Sequence, residues 1–336
     1  MNQQLIKQLD NILLDSKHVV LLQPDNPDLD SLAAAVVMKL GLDSINVAST
    51  LVCVKELRGA NKEIFGKYFT DEFPEHYDTV AIADTPDDKL IRTSLKVQGD
   101  SLKKKKFIVI DHHPEMAGAF NFADLKIIDD KAPAAAEIVY KIAKELGWQL
   151  DKEAARYVLL AYMYDSRKFT IDKVRPETFK IAAELLEYGI NIADINYEYD
   201  QAFAIDPETY KAKNKLATRT KYYLDNQVAI YTTSKRLRKW LKTRGSISEY
   251  IKYELLSVKG VKLSIGITDV GHNLFTVTMR AHIPVARKIA EEVGGGGHDL
   301  AAGGRLEARS AKDARDKLVS IADKYIKEYY ESTETT

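Results

Sequence analysis

The sequence predicts an α/β fold, a mostly parallel helix-covered sheet followed by a second, smaller α/β domain. Three observations predict it. Short apolar, β-branched runs alternate with helical periodicity up to about residue 150, which is how strands buried between two helical layers read. Several of these runs end in an acid or an imidazole, at the strand end where open α/β sheets place their ligands. Beyond a polar stretch at 199–218, strand-like runs resume, one of them alternating apolar and polar residues, as a half-buried strand does.

In chain order, residues 4–17 set Leu5, Leu9, Ile12 and Leu13 on one face of an amphipathic helix. His18-Val19-Val20-Leu21-Leu22 reads as a strand leading into Gln23-Pro24-Asp25-Asn26-Pro27-Asp28-Leu29-Asp30, after which Ser31 opens an Ala-rich helix. Thr79-Val80-Ala81-Ile82-Ala83 reads as a strand leading into Asp84-Thr85. Lys103-Lys104-Lys105-Lys106 reads first as a solvated loop, with a phosphate-attracting rim as the sharper alternative. Phe107-Ile108-Val109-Ile110 follows as a buried strand and ends in Asp111-His112-His113. Residues 152–198 are helical in pattern and carry Asp165 in their interior, after the apolar segment 157–164. Residues 199–218, with Pro207 and many charges, read as a helical or extended linker between domains. Strands are expected at 226–233, 261–268 and 273–280, and a charged amphipathic helix at 310–330, with 331–336 frayed. No internal repeat is visible. The boundaries drawn from this pattern are 1–198, 199–218 and 219–330.

Composition narrows the function. The 336 residues suffice for two domains with proper cores. Lys plus Arg and Asp plus Glu both number 49, so no basic excess points to long duplex nucleic acid. One cysteine, Cys53, rules out an intrachain disulfide framework and a Cys-based zinc site, and reads as a small buried hydrophobe. The N-terminus lacks the apolar core of a secretory signal. No run approaches the roughly 20 apolar residues of a membrane span. The expectation is a cytoplasmic protein without a membrane partner.

The chemistry lies in what ends the apolar elements. Asp111-His112-His113, taken by itself, is equally consistent with a solvated loop whose histidines cap a helix. Asp28, Asp30, Asp84, His112, His113 and Asp165 all terminate such elements, however, and each alone would read as a cap or turn residue. Neighbouring strands lie about 4.8 Å apart, so strand-end side chains can converge on one or two cations. Carboxylates mixed with imidazole suit Mn²⁺, Zn²⁺ or Fe²⁺ better than Ca²⁺. Two such ions bridged by an Asp form a clamp for phosphoryl hydrolysis. A second motif is Gly294-Gly295-Gly296-Gly297-His298-Asp299-Leu300-Ala301-Ala302-Gly303-Gly304. Its glycines permit an anion-binding nest, and His298 with Ala301-Ala302 could begin a helix whose N-terminus favours phosphate. A flexible linker is the common reading of such a run, but the helical pattern at 285–290 beside it and the histidine within it favour the functional one. Arg280, at the end of the alternating strand, could add a fork-shaped phosphate contact.

Taken in order, Asn26-Pro27-Asp28-Leu29-Asp30, Asp84, Asp111-His112-His113, Asp165 and the glycine-rich segment resemble the DHH phosphoesterase family. Within it they are most similar to the nanoRNase/pAp-phosphatase and cyclic-di-AMP phosphodiesterase branch, over roughly residues 1–330. The Gly-Gly-Gly-Gly-His run followed by Ala-Ala-Gly resembles the DHH-associated C-terminal domain, which sets the chain apart from the related inorganic pyrophosphatases. The resemblance implies a catalytic domain at 1–198 and a substrate-binding domain at 219–330. It implies a two-Mn²⁺ site, with Mg²⁺ or Co²⁺ as alternatives. Asp28, Asp30, Asp84, His113 and Asp165 would be the ligands and Asp84 the bridge. His112 would stand beside the metals to touch substrate, and Asp111 would support the histidines. Gly294, Gly295, Gly296, Gly297, His298 and Arg280 would hold the far part of a short nucleotide. A homodimer is compatible with it. In one place the sequence departs from the family. Its first motif carries a His three residues before the Pro of Pro-Asp-x-Asp, and here that position is Pro24, which cannot ligate a metal. Either Asp25 substitutes, or water fills the vacancy, or one metal site is weak. The expected function is a metal-dependent phosphodiesterase or phosphatase acting on short oligonucleotides, pAp or dinucleotides. The alternatives are a nucleotide-binding regulator with weakened catalysis and an exopolyphosphatase-like enzyme.

Overall fold

The computed structural model describes residues 2–202, 204–237 and 247–334. The chain forms two compact units, Met1–Ala204 and Ile205–Thr336. In the first, six strands make one sheet: β1 (Val19–Leu22), β2 (Ser49–Val52), β3 (Phe69–Thr70), β4 (Thr79–Ala83), β5 (Lys106–Asp111) and β6 (Leu125–Ile128). Every pairing is parallel and the spatial order is β3-β2-β1-β4-β5-β6. This is a doubly wound order, and its direction reverses between β1 and β4.

The strands read as continuous apolar runs because both faces are covered. Val19, Leu21, Ala81, Ala83, Ile108 and Ile110 pack into one core with helices α1 (Gln3–Leu14), α2 (Leu29–Ser44), α5 (Ala135–Leu146) and α6 (Lys152–Asp165). Val20, Leu22, Val80, Ile82, Phe107 and Val109 face a smaller core with Ile91, Leu102 and Phe120. Two 3₁₀ turns, Asp88–Ile91 and Gly99–Lys104, and helix α4 (Arg92–Gln98) lie along that stretch of chain. Truncating a side chain as buried as Ile108, 0% exposed, would cost about 2–5 kcal/mol. Helices α3 (Gly59–Phe65), α7 (Pro176–Leu186) and α8 (Ile192–Ala202) complete the unit. The 152–198 segment is thus three helices, and Asp165 ends the first of them, as its place after the apolar run 157–164 suggests.

The second unit has a six-stranded mixed sheet in the order β11-β12-β10-β9-β8-β7. Its strands are β7 (Lys221–Tyr223), β8 (Val228–Thr233), β9 (Leu263–Gly271), β10 (Leu274–Ala281), β11 (Gly296–His298) and β12 (Ala301–Glu307). Its helices are α9 (Pro207–Arg219), α10 (Ile247–Leu256), α11 (Ala286–Glu292) and α12 (Ala311–Glu334). Of the two forms expected for residues 199–218, the helical one is found, and the segment is packed and not a free linker. Ala212 and Leu216 of α9 pack with Ala229 and Tyr231 of β8, and burial of that apolar stripe makes α9 part of the second unit. Residues expected to be frayed continue α12 as far as Glu334; 335–336 lie outside the described residues. Among the described residues no helix is long and apolar enough to cross a membrane.

Candidate active site

Four elements, α2, β4, β5 and α6, deliver acids or imidazoles to the strand ends at the point where the sheet order reverses. Asp84 follows β4 with φ of +52°, a left-handed conformation that Asp tolerates better than most residues and that often marks a functional site. Its backbone N–H donates to Ile110 O at 2.9 Å, which ties it to β5. Asp28 caps α2, its carboxylate accepting from Ser31 N at 3.0 Å. Asp30 sits in the first turn of α2 and is fully buried. Its two oxygens accept from Ala135 N (2.5 Å) and Ala136 N (3.1 Å). It therefore caps α5, whose own N-cap Ala134 has no side chain for the task. Asp165 is the last residue of α6, a poor place for a carboxylate, because the helix dipole is negative there.

These groups converge on one nitrogen. His112 Nε2 lies 3.2 Å from Asp84 Oδ1, 3.3 Å from Asp165 Oδ2 and 3.9 Å from Asp30 Oδ2. His112 Nδ1 is 3.2 Å from Ala132 O, a contact that assigns the proton to Nδ1 and leaves the Nε2 lone pair facing the carboxylates. Burial, then the neighbouring His113 and Lys173, push the His112 pKa down to about 4, so the ring is neutral and these contacts are not ion pairs at pH 7. The carboxylates are crowded in turn. Burial, then the charge of Asp28, raise Asp30 to about 7. Burial, then Asp28, Asp30 and Asp165, raise Asp84, and burial with Asp30 and Asp28 raises Asp165. His113 is held by Asp111: its ring Nδ1 lies 2.8 Å and its backbone N 2.9 Å from Asp111 Oδ1, with Asp84 Oδ1 at 3.4 Å from the ring.

The donor set fits a transition-metal cation. Two overlapping groups, Asp84-Asp111-His112-His113 and Asp30-His112-Asp165, each bring ligand atoms within 4.8 Å of one another. Asp84 Oδ1, Asp111 Oδ2 and His112 Nε2 are buried without a hydrogen-bond partner. Buried polar atoms of this kind are rarely left unmatched. A cation would satisfy them and relieve the carboxylate crowding that protons otherwise relieve.

Some expectations change. His112, expected to stand beside the metals, occupies the centre of both groups, and His113 lies toward the rim with its side chain 33% exposed. Asp25 is not in either group. Its carboxylate accepts from Thr93 N (3.2 Å) and Thr93 Oγ1 (2.8 Å) and pairs with Lys55 Nζ at 3.1 Å, which ties it to the start of α4. Lys103 to Lys106 lie at the start of β5, the opposite end of that strand from Asp111 and about 17 Å away at 3.3 Å per residue. They are no rim of this site.

The glycine-rich segment forms a strand pair and not a helix start. Residues 296–298 pair with 301–303 around the two-residue turn Asp299-Leu300. A Cβ at Gly295 would lie 2.1 Å from Gly303 O, and one at Gly297, at φ +139°, would lie 2.7 Å from Ala301 O. Glycine thus allows two backbones to approach, which the nest reading did not foresee. The same register sets Ser264, Arg280, Ala301 and His298 in one cross-strand row, side chains in such a row sharing a face. Arg280 Nε donates to Tyr253 OH at 2.9 Å and its guanidinium stands 5.5 Å from that ring's centre. Ser264 Oγ is buried without a partner.

Three residues escaped the sequence reading. Lys173 Nζ donates to His112 O at 2.8 Å, and nothing local marks it. Tyr164 precedes Asp165, and burial, then Asp28 and Asp165, push its phenol pKa up; its adjacency to Asp165 was the available signal. Tyr253 lies in α10, a helix the strand-centred reading passed over.

A carboxylate–imidazole pocket at the switch point of a doubly wound sheet defines a class of metal-assisted hydrolases. The chain belongs to the DHH family: residues 18–162 match the DHH family N-terminal domain and residues 226–328 the DHHA1 domain. It is a phosphoesterase of that family. It is 22% identical over 253 residues to the bifunctional oligoribonuclease and PAP phosphatase NrnA of Bacillus subtilis (strain 168), covering 74% of this chain and 76% of that one. It is 28% identical over 229 residues to the probable enzyme of that name from Streptococcus mutans, covering 67% and 68%. In fold it is similar to an exopolyphosphatase-related protein from Bacteroides fragilis, with TM-score 0.81, 20% identity and coverage of 97% and 96%.

Proposed function

We propose that this protein hydrolyses phosphate esters of short nucleotides, namely oligoribonucleotides of a few residues, pAp or dinucleotides, and that Mn²⁺ is its metal. The observation that carries the proposal is the convergence of Asp30, Asp84 and Asp165 on the neutral Nε2 of His112. His112, Asp30, Asp84 and Asp165 are the proposed ligands, with Asp84 Oδ1 placed to be shared because it also approaches His113. Asp28 caps α2 and adds charge beside them. Asp111 orients His113, whose exposed ring is left for substrate. A divalent cation held there would supply Lewis-acid charge to the phosphoryl group and would make water a better nucleophile.

Two things support nucleotides over polyphosphate. The relatives from B. subtilis and S. mutans carry oligoribonuclease and PAP phosphatase names. Tyr253, 38% exposed, lies beside Arg280 and offers a surface on which a base can stack. Pro24 and the commitment of Asp25 to α4 favour a second reading, a nucleotide-binding protein with weak turnover. A Mn²⁺-supplemented hydrolysis panel of pApA, pAp, cyclic di-AMP and polyphosphate tests both. Turnover of pApA or pAp is expected. Tight binding without turnover would select the second reading, and hydrolysis of polyphosphate alone would reject the nucleotide assignment.

A further inference from the structure

The loop after α6 carries a lysine, Lys173, that bonds the carbonyl of His112. Arg167, Lys168 and Phe169 adopt φ of +48°, +59° and +65°, three successive left-handed residues without a glycine, a strained arrangement that needs anchoring. The anchors are present. Buried Ser166 accepts from Phe169 N through Oγ and from Thr170 N through its carbonyl, both at 2.7 Å. The Phe169 ring packs on Tyr162 and Phe179 at 5.7 and 5.4 Å. Other cations of the loop are neutralised, Lys168 by Asp200 at 2.8 Å and Arg175 by Glu137 at 3.3 Å. Lys173 differs. Among the described residues its ammonium makes one hydrogen bond, to His112 O, and no ion pair. Two of its three N–H donors are left over. It is half-buried, beside a cluster of carboxylates that has not drawn it into a pair.

We propose that Lys173 is a catalytic residue, its ammonium contacting a non-bridging oxygen of the phosphoryl group under attack. The proposal rests on the phosphoesterase reading of the pocket. Hydrolysis joins a water oxygen to phosphorus and breaks the bond to the leaving nucleoside oxygen, which ends with a proton from that water. Lys173 keeps its three protons throughout, and its charge offsets the negative charge that gathers on the phosphoryl oxygens. A fixed cation held by a strained, anchored loop needs no reorganisation at that moment, which is what makes preorganised charge effective. The geometry also explains why Lys173 bonds a backbone carbonyl: that bond holds the ammonium at the pocket while leaving its charge available. In the resting pocket the same charge, behind burial and His113, helps keep His112 neutral, and it opposes the rise of Asp165.

The test compares Lys173→Gln, Lys173→Arg and Lys173→Cys with wild type, on pApA and on bis-p-nitrophenyl phosphate, with Mn²⁺ binding and Tm measured on each. Lys173→Gln should lose about 100-fold in kcat with KM within about threefold, as for removal of one charge-stabilising donor. Its Mn²⁺ affinity and Tm should match wild type, and Lys173→Arg should keep more activity. Aminoethylation of Lys173→Cys restores an ammonium at nearly the same reach and should recover activity; the native Cys53 is 3% exposed and shielded from the reagent. An unchanged kcat in Lys173→Gln overturns the proposal. So does a loss matched by weaker Mn²⁺ binding, which would make the lysine a support for the His112 turn. Wild-type protein that hydrolyses the generic ester but not pApA would refute the nucleotide assignment instead, and the lysine would then be judged on the generic ester.

Discussion

The two units handle polar groups in opposite ways. In the first, acids and an imidazole are buried together, several atoms lack partners, and pKa values are pushed far from their usual range. In the second, the row through Arg280 and His298 has one buried atom without a partner, Ser264 Oγ, while Arg280 is bonded to Tyr253 and to Met279 O and the glycine strands pair edge to edge. The first arrangement is unstable unless protons or a cation enter it, whereas the second is stable as it stands. Perturbed groups of the first kind are what chemistry needs, and on the proposed function the second row would only hold substrate.

The largest expected effect tests the first region alone. Asp84→Ala or His112→Ala should abolish hydrolysis of every substrate, with a loss above about 1,000-fold and an unchanged fold by circular dichroism, since both the charge clamp and the nucleophile depend on them. His113→Ala should be milder. If His113→Ala is the more damaging of the two histidine variants, the central role given to His112 is wrong.

The unusual protonation predicts a pH signature. Asp30 at about 7 compares with roughly 4 in an unfolded chain. Between those values the folded state binds more protons, so stability falls as pH rises through about 7. His112 acts in the opposite sense, but its folded value of about 4 lies below an unfolded value of about 6.5, so its contribution is complete above that pH. The Tm of chelated protein should therefore drop between about pH 6.5 and 8. Added Mn²⁺ should remove the drop, and Asp30→Asn should flatten it. A Tm that climbs over this range in the metal-free protein would contradict the crowding.

The second region should show a split in kinetics. Arg280→Ala or His298→Ala should raise KM for a dinucleotide about tenfold or more and change hydrolysis of bis-p-nitrophenyl phosphate little, because remote contacts act on the part of the substrate away from the reacting bond. Equal losses on both substrates would erase the distinction between the units. The smallest effect belongs to Asp25→Ala. Mn²⁺ binding should be unchanged, and stability should fall by about 1 kcal/mol from loss of the contact to Thr93 at the start of α4. Weaker Mn²⁺ binding in that variant would restore Asp25 as a ligand.

Much of this is legible in local stretches of the chain. The bounds of β4 and the register of apolar runs in β1 and β5 follow from local periodicity, and acids at strand ends are visible wherever such a run stops. Those features depend on neighbours a few residues apart. The tertiary structure decided the rest. The order β3-β2-β1-β4-β5-β6 brings Asp30, Asp84, His112 and Asp165 together from four distant segments, and no local pattern encodes that order. Which of two adjacent imidazoles turns inward depends on Ala132 accepting from His112 and Asp111 holding His113. Whether the glycines open a helix or join two strands depends on the backbone at Gly303 lying within reach of Gly295. Lys173 meets the carbonyl of His112, 61 residues away in sequence, at 2.8 Å. In each case the deciding partner is remote in sequence, and its position is fixed only when the cores close around it.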